Sequence, residues 1–235
     1  MALAGAFETL KRFTRPRAPE ERCELCAAAI GTEHEHVVDP ARRRIVCVCP
    51  PCAILFSAES GQRYKRVPKG ARMLAGFRMT DANWESLLVP INLAFFFRNS
   101  ETADRSLAVA APNAQRFEAG PRPLGSDGPI VAVYPSPGGA IESEVSAETW
   151  DRIVEDNPEL RQIQPDIEAL LVNRLGAQKG FPADQYYLAP IDECYKLVGL
   201  VRAHWRGLSG GDELWRVLRS FLSALTPEAV EASRA

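Results

Sequence analysis

No stretch of this chain approaches the ~20 consecutive apolar residues that a membrane-spanning helix requires. The longest apolar run, Val89 to Phe97, is short and is interrupted by Pro90 and Asn92. The first thirteen residues, through Phe13, lack the basic-then-apolar order of a secretory signal, so the expected location is cytoplasmic. There is no internal repeat. No glycine-rich loop carries the lysine and hydroxyl of a phosphate-binding loop or the spacing of a dinucleotide fingerprint. Tyr134-Pro135-Ser136-Pro137-Gly138-Gly139-Ala140 comes nearest, but Glu142 and Glu144 follow it and repel phosphate, so it reads as a structured turn. Histidine is scarce, with three in 235 residues. Cys194 has no base or orienting carboxylate at a recognisable spacing, which leaves it a small apolar group on a helix.

Cysteine is present in one concentrated place. Five of the six fall within thirty residues, as Cys23-Glu-Leu-Cys26 and Cys47-Val-Cys49-Pro-Pro-Cys52. Two CxxC pairs about twenty residues apart have the spacing of a tetrahedral metal site, because each pair sets two thiolates on one tight turn. Clustered thiols without a secretion signal favour metal over disulfides. The expected ligands are Cys23, Cys26, Cys49 and Cys52, with Cys47 as the alternative, and the expected metal is zinc. A rubredoxin-like iron centre uses the same four thiolates, and an iron–sulfur cluster also accepts them. Rubredoxin-like knuckles place glycine after the second cysteine of each pair, whereas this chain has Ala27 and Ala53 there. His34 and His36 lie between the pairs, and with four cysteines available they are assigned to hairpin positions rather than to the metal.

The formal net charge of −2 conceals an asymmetry. Residues 1–78 carry 14 Lys/Arg against 8 Asp/Glu, and residues 79–235 carry 14 against 22. The simplest reading is a basic hairpin module with solvated faces, docking on a more acidic remainder. Nucleic acid is disfavoured, because the basic residues have no interleaved aromatic platform and the pI is near 6.0.

The pattern predicts an α+β chain in four parts. Residues 1–19 form a short amphipathic helix and a Pro-rich linker, 20–62 the cysteine module, 63–225 a mixed α/β lobe, and 226–235 a tail. In the module, His36–Val38 and Arg44–Cys47 pair as strands around a turn at Asp39-Pro40. Cys49 then caps a helix that has Pro50 at its first position. This is a zinc-ribbon or treble-clef-like layout. Beyond it, Thr80 caps a short helix, Leu93–Phe97 and Ile130–Tyr134 are buried strands, and Ser106–Ala111 is a candidate third. The Pro- and Gly-rich run from Pro112 to Pro129 reads as a loop. Ser146 caps a helix through Glu155. Ile167–Val172 fits either a strand or a helix. Ile191, Cys194, Tyr195, Val198 and Val201, then Leu214, Val217, Leu218, Phe221, Leu222 and Leu225, mark an antiparallel helix pair across Ser209-Gly210-Gly211-Asp212.

The two cysteine strings occur together with Leu93-Ala-Phe-Phe-Phe-Arg98, Tyr134-Pro-Ser-Pro-Gly-Gly-Ala-Ile-Glu-Ser143, Glu168-Ala-Leu-Leu-Val-Asn-Arg174 and the segment from Pro190 to Gly211. In these the chain resembles an uncharacterised bacterial family encoded beside actinobacterial-type, high-affinity nickel–iron hydrogenase operons. The resemblance covers most of residues 13–222. It implies a zinc-binding accessory protein that supports assembly or maturation of the hydrogenase, or binds it, through its subunits or maturation factors. An electron carrier with an iron tetrathiolate and a nucleic-acid-binding regulator are the competing classes. Catalysis is not expected.

Overall fold

In the computed structural model, residues 21–57, 63–100, 128–181 and 183–225 are described. The expected N-terminal helix, the strand at 106–111, nearly all of the loop after it and the C-terminal tail lie outside them. Two antiparallel sheets organise the fold. The small one has the order β2-β1-β3, from β1 (Glu35–Asp39), β2 (Arg44–Val48) and β3 (Lys65–Arg66). Asp39 closes the β1–β2 hairpin as predicted: its carboxylate accepts from the Arg42 backbone N–H at 3.3 Å, and Arg43 takes the left-handed conformation, φ 50°. Helix α1 (Pro50–Leu55) follows, with Cys49 at its cap and Pro50 leading it.

The large sheet has six strands in the order β4-β9-β8-β5-β6-β7. They are β4 (Arg72–Met73), β5 (Leu93–Arg98), β6 (Ile130–Ser136), β7 (Gly139–Val145), β8 (Glu168–Asn173) and β9 (Gln185–Pro190). Helices α2 (Asp81–Ser86) and α3 (Ala147–Asp156) lie on one face, and α4 (Ile191–His204) and α5 (Gly211–Leu225) lie on the other. This double cover explains the unbroken apolar strands. In β5, Phe95 and Phe97 pack towards α4 and α5, while Ala94 and Phe96 pack towards Trp84 and Trp150. The same cause settles the 167–172 segment as a strand: residues 168–172 lie in β8, with Leu170 and Leu171 buried on opposite faces.

The helices arise where periodicity and caps agree. The Thr80 and Ser146 hydroxyls each accept the backbone N–H three residues on, at 3.1 Å. In α5, Leu214, Leu218, Phe221, Leu222 and Leu225 are buried at three- and four-residue steps. Its entry requires glycine: at Gly210, φ is 89° and an added Cβ would sit 2.7 Å from Leu214 Cδ2. No helix among the described residues is long and apolar enough to cross a membrane.

The small sheet packs on the large one. Val38, Val67 and Ile45 join the core beneath α4 and α5. Arg43 pairs with Glu142 at 2.7 Å, and Lys65 pairs with Asp166 at 2.6 Å. Other basic residues pair within the module: Arg63 with Asp39, Arg44 with Glu24, and both Arg66 and Lys69 with Glu35.

Glu35 is buried. Burial raises its carboxyl pKa, but Lys69 and Arg66 outweigh that and hold it below its ordinary value. A depressed folded pKa means that the stability from this cluster is complete above the ordinary carboxylate range. It is lost as the pH falls through the lower folded value. The difference in denaturation midpoint between the wild type and Glu35→Gln should therefore be largest near neutrality and vanish in acid, as urea titrations across pH would measure.

Candidate metal centre

The first cysteine pair sits on a tight knuckle. Arg22 and Ala29 form an isolated antiparallel bridge, the Cys23 N–H donates to the Ala28 carbonyl at 2.8 Å, and the Ala27 N–H donates to the Cys23 carbonyl at 2.8 Å. Ala27 completes the turn at φ 62°, a conformation that glycine adopts more readily. Glu24 fixes the knuckle to β2 at one residue. Its N–H donates to the Cys47 carbonyl at 2.9 Å, and its carboxylate accepts from the Cys47 N–H at 2.8 Å. The second pair is placed differently, with Cys49 at the cap of α1 and Cys52 on its first turn.

The sulfurs of Cys23, Cys26, Cys49 and Cys52 all lie within 4.8 Å of one another. The Cys26 and Cys49 sulfurs are 3.6 Å apart. A disulfide requires about 2 Å, whereas four sulfurs at zinc–thiolate distance around a tetrahedral ion stand roughly 3.8 Å apart. The geometry is therefore that of thiols gathered around the volume of one ion. Cys23, Cys49 and Cys52 are buried, and Cys26 is the exposed member. Val37, Val46, Val48 and Ala53 make the apolar wall behind them.

The electrostatics suit a cation. Burial raises the Cys23 pKa, but the backbone N–H groups of Cys49, Cys26 and Leu25 and the Cys26 side chain together lower it to about 6. Cys52 goes the other way, raised by burial and by its three thiol neighbours. Cys26 is also raised: the Ala28 N–H lowers it, but the Cys23 and Cys49 thiols more than offset that. One thiolate forms readily and the next is opposed by its charge. A divalent ion removes that opposition by neutralising the group.

Cys47 does not join the four. Its sulfur lies with His34 and His36, and one ligand atom from each of the three falls within 4.8 Å of the others. Burial and the charge of Glu21 push the Cys47 thiol up. Cys194 is wholly buried on α4 in the main core, where burial raises its pKa far above that of a free thiol. His204 faces Glu213 across the turn between α4 and α5, at 3.3 Å. The Pro137-Gly138 turn joins β6 to β7, with Ser136 Oγ donating to the Gly139 carbonyl and accepting from the Gly138 N–H. Its hydroxyl is thus engaged within the turn.

Fold and site together define an α+β protein with a cluster of four convergent cysteines that could hold a metal ion. The chain belongs to a family of unknown function, DUF5947, whose model matches residues 22–117 and 123–229. Comparisons with curated proteins and with solved structures returned no match.

Proposed function

We propose that the protein is a zinc-binding accessory protein: a tetrathiolate ion holds a docking module together, and the partner is a nickel–iron hydrogenase, through its subunits or maturation factors. The observation that carries the metal reading is the convergence of the Cys23, Cys26, Cys49 and Cys52 sulfurs within 4.8 Å. That spacing suits a single ion, since a multi-iron cluster spreads its thiolates farther apart. Zinc is favoured over a rubredoxin-like iron because only the first pair sits on a knuckle. The second opens a helix, and a glycine follows neither pair. A closed four-thiolate zinc is redox-silent and leaves no open coordination position, so its role is structural.

Two observations support a protein partner. Helix α1, anchored through Cys52, and the residue that ends it expose Ile54, Leu55 and Phe56, with relative accessibilities of 57%, 66% and 44%. Contiguous apolar side chains on a helix held by a metal make a firm docking surface. The arginines and lysines of the small sheet are engaged in ion pairs with Glu24, Glu35, Asp39, Glu142 and Asp166, which reduces the charge available to a phosphate backbone. The choice of hydrogenase rests on the family resemblance in the sequence.

Metal analysis with a visible spectrum tests the first half. Colourless protein retaining zinc against a weak chelator is expected, and an iron-loaded, coloured protein would overturn the zinc reading. Affinity capture tests the second half, with the full chain and its Leu55→Asp variant as baits in cells that express the hydrogenase. Enrichment of hydrogenase subunits or precursors that the variant loses at least tenfold is expected. No enrichment with the wild type would remove the partner assignment while leaving the metal reading intact.

A further inference from the structure

The β1–β2 hairpin has two faces, and the four-cysteine centre uses one of them. Val37, Val46 and Val48 pack with Cys23, Cys49 and Cys52, whereas Val38 and Ile45 turn to the opposite side and join the core under α4 and α5. Side chains alternate along a strand and directly paired residues share a face. His36 is the direct partner of Cys47 in this hairpin. His36 and Cys47 therefore belong to the second face, and His34, two residues before His36, is brought to the same side. The two imidazole centroids are 4.7 Å apart, edge to face.

Hydrogen bonding fixes which ring nitrogens are free. His36 Nδ1 lies 2.7 Å from the Asp192 carboxylate, whose other oxygen is held by the Glu193 N–H at 2.8 Å. His34 Nδ1 lies 2.9 Å from the Gly31 carbonyl. A carbonyl and a carboxylate only accept, so each Nδ1 carries a proton, and in the neutral ring that leaves the lone pair on Nε2. His34 Nε2 is buried and has no hydrogen-bond partner among the described residues, on a side chain only 9% exposed. A buried acceptor without a partner is costly. Metal-binding histidines show this same arrangement, one nitrogen oriented by a carboxylate or a backbone carbonyl and the other left for the ion.

We propose that His34 and His36, through Nε2, and Cys47, through its sulfur, form a second metal site on the face of the hairpin opposite the four-cysteine centre. Two imidazoles and one thiolate select a borderline divalent first-row cation of the zinc class and disfavour calcium and magnesium. Three protein ligands leave a fourth position open to water or an incoming ligand, as in exchangeable and catalytic sites. On binding, Cys47 releases its thiol proton to solvent and the metal takes the sulfur lone pair. Asp192 acts as a positioning residue, holding the His36 ring and tying the ion to the start of α4. The inference is independent of which partner the protein serves.

Cobalt(II) titration of the metal-free full chain under reducing conditions tests it, with metal counting by mass spectrometry. Two equivalents are expected: one with the intense thiolate charge transfer of four sulfurs, and one with weaker charge transfer from a single sulfur. The double variant His34→Gln/His36→Gln and the single variant Cys47→Ala should each keep the first equivalent and lose the second. Asp192→Asn should weaken only the second, by about 10–100-fold. Saturation of the wild type at one equivalent overturns the proposal, as does a double variant that still binds two. Should the variants misfold, X-ray absorption on the second equivalent in the wild type decides. Imidazole nitrogen with one sulfur supports the site, and a shell of oxygen alone, or of several sulfurs, overturns it.

Discussion

Replacing Cys26 by serine is expected to release the proposed ion and unfold the small sheet while the six-stranded sheet stays folded. Cys26 is the exposed member of the four, so a serine there buries no new polar group and the effect isolates the lost ligand. Among the described residues the apolar cluster behind the site contains seven buried residues, three of them cysteines. A core of that size cannot hold a module together alone. Structural zinc in comparable modules contributes apparent binding free energies of about 10–16 kcal/mol, nearly all of it linked to folding. Losing one thiolate therefore removes most of what holds the knuckle, the hairpin and α1 together. Hydrogen exchange measures this residue by residue. Protection of the Val37, Val46 and Val48 amides should fall to the unfolded level, while Leu170 and Leu171 in the large sheet stay protected. A variant that keeps its metal and the protection of Val46 would show that the ion is held by other groups.

The convergence of Cys23, Cys26, Cys49 and Cys52 is legible in the cysteine spacing, because CxxC fixes two sulfurs on one turn regardless of what surrounds it. The hydrogen bonds that lower the Cys23 pKa are not legible there. They depend on the path of the backbone through residues 23–28 and on the approach of the Cys49 N–H from another element. Cys47 shows a different limit. Its position two residues before Cys49 places both thiols on one face of a continuous strand, but β2 ends at Val48 and Cys49 already belongs to the helix cap, so the alternation stops between them. The grouping with His34 and His36 is nonetheless encoded. A turn at Asp39-Pro40 that pairs Asp39 with Arg44 also pairs His36 with Cys47. The register carries this information, and the cysteine motif alone does not.

The large sheet is legible where a strand is buried on both faces and bounded by breakers, as in β5 and β6. It is obscure at its margins. β7 is an edge strand bearing Glu142 and Glu144, charges that protect an edge from further pairing and also hide its pattern. β9 runs into Pro190 and directly into α4, so no turn signal marks its end. β3 and β4 have two residues each and exist only through their partners. The helices announce themselves because their caps and their three- and four-residue periods are local, and only the sheet order needs the whole chain.

The junction between the two sheets supplies the second large expected effect, at Asp166. This residue is 5% exposed and sits just before β8 with φ 72°. Its carboxylate accepts the Ser100 N–H at 2.9 Å, the Ser100 hydroxyl at 2.5 Å and the Lys65 ammonium at 2.6 Å. One side chain thus ties β3 of the small sheet to the end of β5 and the start of β8. Asp166→Ala removes the carboxylate that accepts all three bonds and puts a Cβ without a hydrogen-bonding tip into a left-handed backbone, which costs about 1 kcal/mol by itself. Breaking a fully buried pair costs about 3–5 kcal/mol, and the one-third exposure of Lys65 reduces that. The expected loss is about 2–4 kcal/mol in urea-induced unfolding, with faster exchange at the Lys65 and Arg66 amides. Asp166→Asn should lose about half as much, because asparagine tolerates positive φ and its carbonyl can still accept the Ser100 N–H. If the two variants were equally destabilised, the charge on Asp166, rather than its backbone conformation, would account for the whole effect. If neither moved the midpoint, the junction would be held by the Val38, Val67 and Ile45 contacts alone.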